Sequence, residues 1–131
     1  MIHNACSYLA ILLNIIILDV IWLSFTFAKI YQKHLGHVFM NKPLWLPAVL
    51  FYLLYAFGLH FVVVRQTVGQ SMGMIFLIGF IFGAVAYGTY DLTNQAIIKD
   101  WPPFITMIDI VWGGFISGVA AAMGAWIFRS I

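Results

Sequence analysis

Two short stretches of this chain put ionisable groups where their neighbours belong in hydrocarbon. ILDVIWLSF (17–25) carries Asp19, and MIDIVWGGF (107–115) carries Asp109. In each, a Trp follows three residues later, Trp22 and Trp112, and a Phe six residues later, Phe25 and Phe115. Residues three apart share one face of a helix, so each indole is expected beside its own carboxyl group. A carboxyl group against an aromatic wall offers an exchangeable proton. It also offers a counter-charge to a cation that the ring face attracts as well. A third Asp, Asp91, closes another apolar run in YGTYDLTNQAIIKDWPP (87–103), together with Tyr90, Thr93 and Asn94. If the helix continues there, Asp91, Asn94 and Gln95 lie on one face. The candidate ligand- or ion-binding residues are therefore Asp19, Asp91, Asp109, Asn94, Thr93, Tyr90, Trp22 and Trp112. Asp100 reads instead as a cap for the helix that follows it.

The elements that position these residues follow from composition. Of 131 residues, 64% are hydrophobic and only 8% charged, where a soluble domain carries roughly a quarter charged residues. The chain is read as an integral membrane protein. A formal charge of +2 is too small to suggest nucleic-acid binding, so the bilayer is the expected macroscopic partner. The single cysteine, Cys6, excludes an intrachain disulfide. The N-terminal MIHNACSYLAILLNIII lacks a basic leader region and a cleavage site, and reads as a retained helix.

A spanning helix needs about 20 mostly apolar residues. Four runs qualify, at about 5–28, 45–64, 71–90 and 103–128. The expected fold is all-α, a four-transmembrane-helix bundle with a short interfacial segment between helices one and two. It forms a single integral membrane domain over 1–131. The interfacial segment, KIYQKHLGHVFMNKP, has spaced apolar positions and ends at Pro43. Pro102 and Pro103 open the fourth span, where a missing N–H costs least.

Depth brings the carboxyl groups together. Asp19 lies about nine residues before the end of the first span, on the order of 14 Å deep at 1.5 Å per residue. Asp109 lies about six residues into the fourth, on the order of 9 Å. Asp91 sits at the mouth of the same connection. All three fall in one half of the membrane and can share one cavity. Spans one and four should run antiparallel, so the two D-x-x-W stretches are inverted copies of one local pattern, an arrangement that recurs in transporters.

Spans three and four carry small residues at four-residue spacing: Gly79 and Gly83, Gly114 and Gly118, Ser117 and Ala121. Such rows let backbones approach in lipid. They predict packing of span three on span four, with a homo-oligomer contact as the alternative use. Lys29, Lys33, Lys42 and Lys99 fall in the first and third connections, which the positive-inside rule places in the cytoplasm. His34 and His37 make an H-x-x-H without a third ligand at helical spacing, a weak zinc signal. His60 is expected as a packed or interfacial histidine. Neither a metal nor a cofactor is expected, and no catalytic residue is assigned.

Y-G-T-Y-D-L-T-N (87–94), Trp101-Pro102, Asp109-x-x-Trp112-Gly113 and Leu18-Asp19-x-x-Trp22-Leu23 together resemble the bacterial domain-of-unknown-function family DUF2177 of small four-span membrane proteins. The resemblance covers essentially the whole chain, with Y-D-L-T-N as its most specific part. It implies the fold and a location in the bacterial inner membrane, and assigns no substrate.

Three functions fit these residues. The first is a small transporter or channel-like protein that binds a proton or small cationic substrate at Asp19, Asp91 and Asp109. The second is an intramembrane enzyme using a carboxyl pair for acid–base chemistry on a lipid or isoprenoid. The third is a structural or accessory subunit whose carboxyl groups only knit helices together. A path through the membrane would favour transport, a blind pocket facing lipid would favour the enzyme, and a dry, filled core would favour the accessory role.

Overall fold

The computed structural model describes residues 1–131 and contains helices and turns without strands. Four helical runs are long and apolar enough to cross a membrane: α1 (Ile2–Leu35), α2 (Trp45–Thr67), α3 (Met72–Ile97) and α4 (Pro103–Ser130). Two boundaries differ from those expected. The residues assigned to an interfacial segment divide, because those up to Leu35 prolong α1 and only the rest forms the connection. Helix α3 does not stop near Tyr90 but runs to Ile97, carrying Asp91 and Asn94 on regular helix.

Local chemistry fixes the ends. The Ser71 hydroxyl accepts the Met74 N–H and caps α3, supplying a partner for one of the free donors of the first turn. Helix α4 starts at Pro103, with Pro102 as its cap residue and no side-chain cap. Asp100 therefore does not cap α4. It occupies the turn before it with φ of 60°, a left-handed conformation that Asp tolerates better than most residues. At the opposite end of the bundle the Arg129 guanidinium donates to the carbonyls of Val68 and Gln70, tying the end of α4 to the α2–α3 turn.

Helix α4 is the axis of the bundle. Half of its most apolar window is buried, against 17–28% for the other three. It packs along α3 through a seam in which neither backbone carries bulk. A Cβ on Gly83 would collide with the Gly113 carbonyl and the Ser117 side chain, and one on Gly79 would meet Ala121 at 2.8 Å. From α3, the rings of Phe76, Phe80 and Tyr87 lie over Gly118, Gly114 and Gly113. The small-residue rows are thus used within the chain. In lipid, contact between helices rests on such close packing, because the surrounding tails are as apolar as the side chains.

A filled core occupies the half of the bundle away from Asp19 and Asp109. Ile11 and Ile15 of α1 meet Leu59, Val63 and Val64 of α2, Ile75 of α3, and Ile116, Ala120 and Ala121 of α4 there. His60 sits in this half, buried, with Nδ1 3.1 Å from Ser7 Oγ and Nε2 3.3 Å from Asn4 Oδ1. Both ring nitrogens thereby have partners on α1. A smaller cluster of Tyr31, Leu35 and Ile105 closes the other end. Helix α2 is placed asymmetrically: its Leu59–Val64 half packs against α1, α3 and α4, while its Trp45–Gly58 half packs mainly on α1 and reaches α3 through the Tyr55 ring, which meets Phe82 and Tyr87.

Adding a methyl group to the α3–α4 seam tests this arrangement. Gly83→Ala forces backbone against backbone and is expected to lower stability by about 1–3 kcal/mol. Gly69→Ala, where a Cβ meets nothing within 4 Å, should leave it unchanged. Thermal unfolding of the two variants in lipid nanodiscs is the comparison, and equal midpoints would mean that the seam is not the main helix–helix contact.

Candidate functional site

Between the two packed ends lies a cavity of about 560 Å³, to which all four helices contribute. Asp19, Trp22 and Leu23 enter from α1, with Tyr31 from its prolonged end. Helix α2 supplies Phe51 and Tyr55, α3 supplies Ala86, Tyr87 and Tyr90, and α4 supplies Asp109 and Trp112. No Lys, Arg or His is among the lining residues.

Each carboxyl group in the cavity wall is held by side chains from other parts of the fold. Asp19 accepts from the Tyr52 hydroxyl of α2 at 2.6 Å and from the Trp112 indole of α4 at 3.3 Å. Asp109 accepts from the Tyr31 hydroxyl, which itself accepts the Trp22 indole N–H at 3.0 Å. The two D-x-x-W stretches are therefore crossed. The Trp of the fourth helix serves the Asp of the first, and the Trp of the first reaches the Asp of the fourth through one tyrosine. This replaces the expected pairing of each Trp with its own Asp. Between the helices the indoles stack, with centroids 4.4 Å apart and planes 9° from parallel. The ring faces they turn to each other are thus occupied and cannot receive a cation.

Tyr31 reaches this network because α1 departs from α-helical geometry just before it. Trp22 and Tyr31 are nine residues apart, and nine steps of about 100° would put them on opposite faces of an unbroken α-helix. Residues Phe27–Tyr31 instead form a π turn, in which the Gln32 N–H reaches back to the Phe27 carbonyl. The wider turn swings Tyr31 back toward the side of Trp22. Just upstream, the Ser24 and Thr26 hydroxyls donate to the Val20 and Trp22 carbonyls at 2.6 and 2.7 Å. Back-bonding of this kind competes with the helix ladder and bends helices. Insertions of this type are frequent at functional sites.

Asp91 is a separate case. It is 0% exposed, and neither carboxyl oxygen has a hydrogen-bond donor. It lies behind the cavity wall, within hydrogen-bonding reach of the Asp109 carboxyl. An ionised carboxylate has only acceptors, so contact between the two is favourable only when a proton or a cation is shared. On the far side of the cavity, Tyr55 and Ser117 bond at 2.6 Å, and the filled core begins beyond them. The cavity is blind in that direction. Sideways it is not enclosed: Phe51 on α2 and Tyr90 on α3 line it while remaining 42% and 64% exposed, and the two helices diverge at this level.

Of the residues predicted as ligand contacts, Asp19, Trp22, Tyr90, Asp109 and Trp112 line the cavity and Asp91 adjoins it. Thr93 does not. Two residues beyond Asp91, it points the other way on a helix, is exposed, and donates to the Thr89 carbonyl at 2.6 Å. Asn94 shares the Asp91 face but lies a turn further along α3 and is not part of the cavity wall. Tyr31, Tyr52, Tyr55 and Tyr87 were not predicted. For Tyr52, Tyr55 and Tyr87 a hydroxyl in an apolar span was the available signal, since a buried Tyr O–H normally finds a partner, whereas Tyr31 falls in the segment read as interfacial.

A family model described as "Predicted membrane protein (DUF2177)" matches residues 4–126. No curated protein and no solved structure matches the chain.

Asp91→Asn is expected to leave stability within about 1 kcal/mol, because the amide N–H donates to Asp109 in place of the shared carboxyl proton. Asp91→Leu should be close to neutral. Unfolding of both variants in nanodiscs measures this, and a loss of about 3 kcal/mol or more, the usual result of breaking a buried charged network, would show that Asp91 serves the fold.

Proposed function

Since the chain belongs to the DUF2177 family of predicted membrane proteins, whose description carries no activity, we propose from its geometry that it is a small carrier that binds a proton or cationic substrate. Binding takes place in the cavity between Asp19 and Asp109. The observation that carries this reading is the gathering of three carboxyl groups with no basic side chain in the cavity wall. Such groups are costly inside a membrane and mark ion or substrate pathways. Asp19 and Asp109 meet the cation directly. Asp91, behind Asp109, holds a proton that the cation displaces, which couples substrate movement to proton movement through charge balance.

A cavity blind toward the packed half suits a carrier seen in one of its end states better than an open pore. Exchange then requires α1 or α2 to move against the close-packed α3–α4 pair, and the D-x-x-W stretches on the antiparallel α1 and α4 are of the kind found in transporters built from inverted repeats. The lysines of the first and third connections support, by the positive-inside rule, an orientation with the open half on the cytoplasmic side of a bacterial inner membrane.

The blind, sideways-open shape also favours a second reading, an enzyme acting on a lipid or isoprenoid. Two adjoining carboxyl groups that share one proton can act as acid and base, and Tyr31 and Tyr52 can orient them. Here Asp109 takes a proton from, or gives one to, a substrate reaching in from the bilayer.

Proteoliposomes loaded with a pH-sensitive dye separate these readings. An inward gradient of tetraethylammonium or guanidinium should drive proton efflux and alkalinise the interior. Flux should fall as external pH falls, because protons then compete for the carboxyl groups. Asp19→Asn and Asp109→Asn should each reduce it by at least about tenfold, equivalent to about 1.4 kcal/mol. Unchanged flux in both variants rejects the carrier, and conversion of added lipid without flux favours the enzyme.

A further inference from the structure

The size and walls of the cavity speak to what occupies it. A proton or metal ion fills a negligible part of about 560 Å³, a volume in the range of pockets for whole organic ligands. Nine of the eleven lining residues are aromatic or aliphatic, four of them tyrosines, and the only carboxyl groups in the wall are those of Asp19 and Asp109. The rest of the wall is uncharged and largely apolar. The apolar part continues to the gap between α2 and α3, where Phe51 and Tyr90 stand as exposed posts on either side. Leu54, one turn beyond Phe51 on α2, is 72% exposed at the same flank. The opening thus faces the acyl region of the bilayer rather than a purely aqueous vestibule.

We infer that the ligand is a single-chain amphiphile with an ammonium or guanidinium head, which reaches the cavity sideways from the membrane between α2 and α3. Its head lies between Asp19 and Asp109 and its chain leaves through the gap. This identifies the chemical class of the cation in the carrier reading above and rests on that reading. Charge decides the head: with three carboxyl groups adjoining and no basic residue in the wall, an anionic head meets repulsion without compensation, while a cationic head supplies the missing partner. Length decides the tail. A compact cation would leave the apolar walls in contact with poorly bonded water, whereas an alkyl chain already dissolved in lipid moves into the gap without facing water.

The test uses the full chain in nanodiscs and alkyltrimethylammonium probes that carry bromine on the chain and quench tryptophan. Trp22 and Trp112 line the cavity. Quenching that rises without limit reports bilayer partition, and its saturable part reports the site. The dodecyl probe is expected to reach half-saturation at an aqueous concentration at least about a thousandfold lower than the butyl probe, because its eight additional methylenes concentrate it in the bilayer. The saturable part should disappear in the Asp19→Asn/Asp109→Asn double variant. Brominated dodecyl sulfate, with the same chain and the opposite charge, should give none with the unmodified protein, a control that does not depend on the variant folding. Equal half-saturation for the two cationic chains, or a weaker dodecyl probe, overturns the amphiphile and leaves a compact-cation site standing. Saturable binding of the sulfate overturns the cationic head. No saturable component for either cation overturns the site itself.

Discussion

A carboxyl group in hydrocarbon must be given hydrogen-bond donors or a counter-charge by the protein, because the surroundings provide no water to do so. Asp19 and Asp109 meet that requirement with donors drawn from across the fold. Tyr52 of α2 and Trp112 of α4 serve Asp19, while Tyr31 and Trp22 of α1 serve Asp109 in series. The network joins three helices at one level of the membrane. Removing any member leaves another polar group unpaired in a medium where that costs several kcal/mol. The π turn at Phe27–Tyr31, an irregularity with no other visible purpose, is explained by the same need, since without it Tyr31 would face away from Asp109.

The rest of the bundle holds this network in place and leaves space beside it. Close contact of α3 and α4 through Gly79, Gly83, Gly113 and Gly118 makes one rigid pair. Helix α1 is drawn to α4 by the stacked indoles and by the Ile11 side chain seated against Gly124. Helix α2 is fixed at its far half by Leu59, Val63 and Val64 and by the bonds from His60 to Ser7 and Asn4. Its near half packs chiefly on α1, with Tyr55 reaching Ser117 of α4. Divergence from α3 follows, and the cavity is the volume left between them. One half of the bundle is thus built for packing, and the other for holding polar groups around a space.

Asp91 breaks the rule that the other two carboxyl groups obey. Its oxygens have no donor although the residue is completely buried. A leucine there would satisfy the packing at no electrostatic cost. Proteins keep such unfavourable groups mainly where activity depends on them, and this one adjoins the wall of the cavity. In the carrier reading, the proton that Asp91 holds is what links it to Asp109.

Much of this was legible from residue types and spacing. Hydropathy determined the four helices, because length and apolarity alone decide what can span a bilayer. The glycine rows announced the α3–α4 contact, and simple depth arithmetic placed Asp19 and Asp109 at one level. Periodicity also carried Trp22, Trp112 and Tyr90 into the site, although it gave each Trp to its own Asp. Other features lay beyond any one helix. The crossing of the two D-x-x-W stretches depends on how α1 and α4 face each other, a relation between segments about ninety residues apart that local periodicity does not encode. Tyr31 was hidden because it falls in the segment read as interfacial, and only the prolonged helix with its π turn brings it to Asp109. Thr93 was misassigned because proximity in sequence was taken for proximity in space, while a helix turns successive side chains to different sides. The chain by itself determined that carboxyl groups enter the membrane and at what depth; the tertiary structure alone decided which donors meet them and where a cavity remains, since both follow from packing between helices.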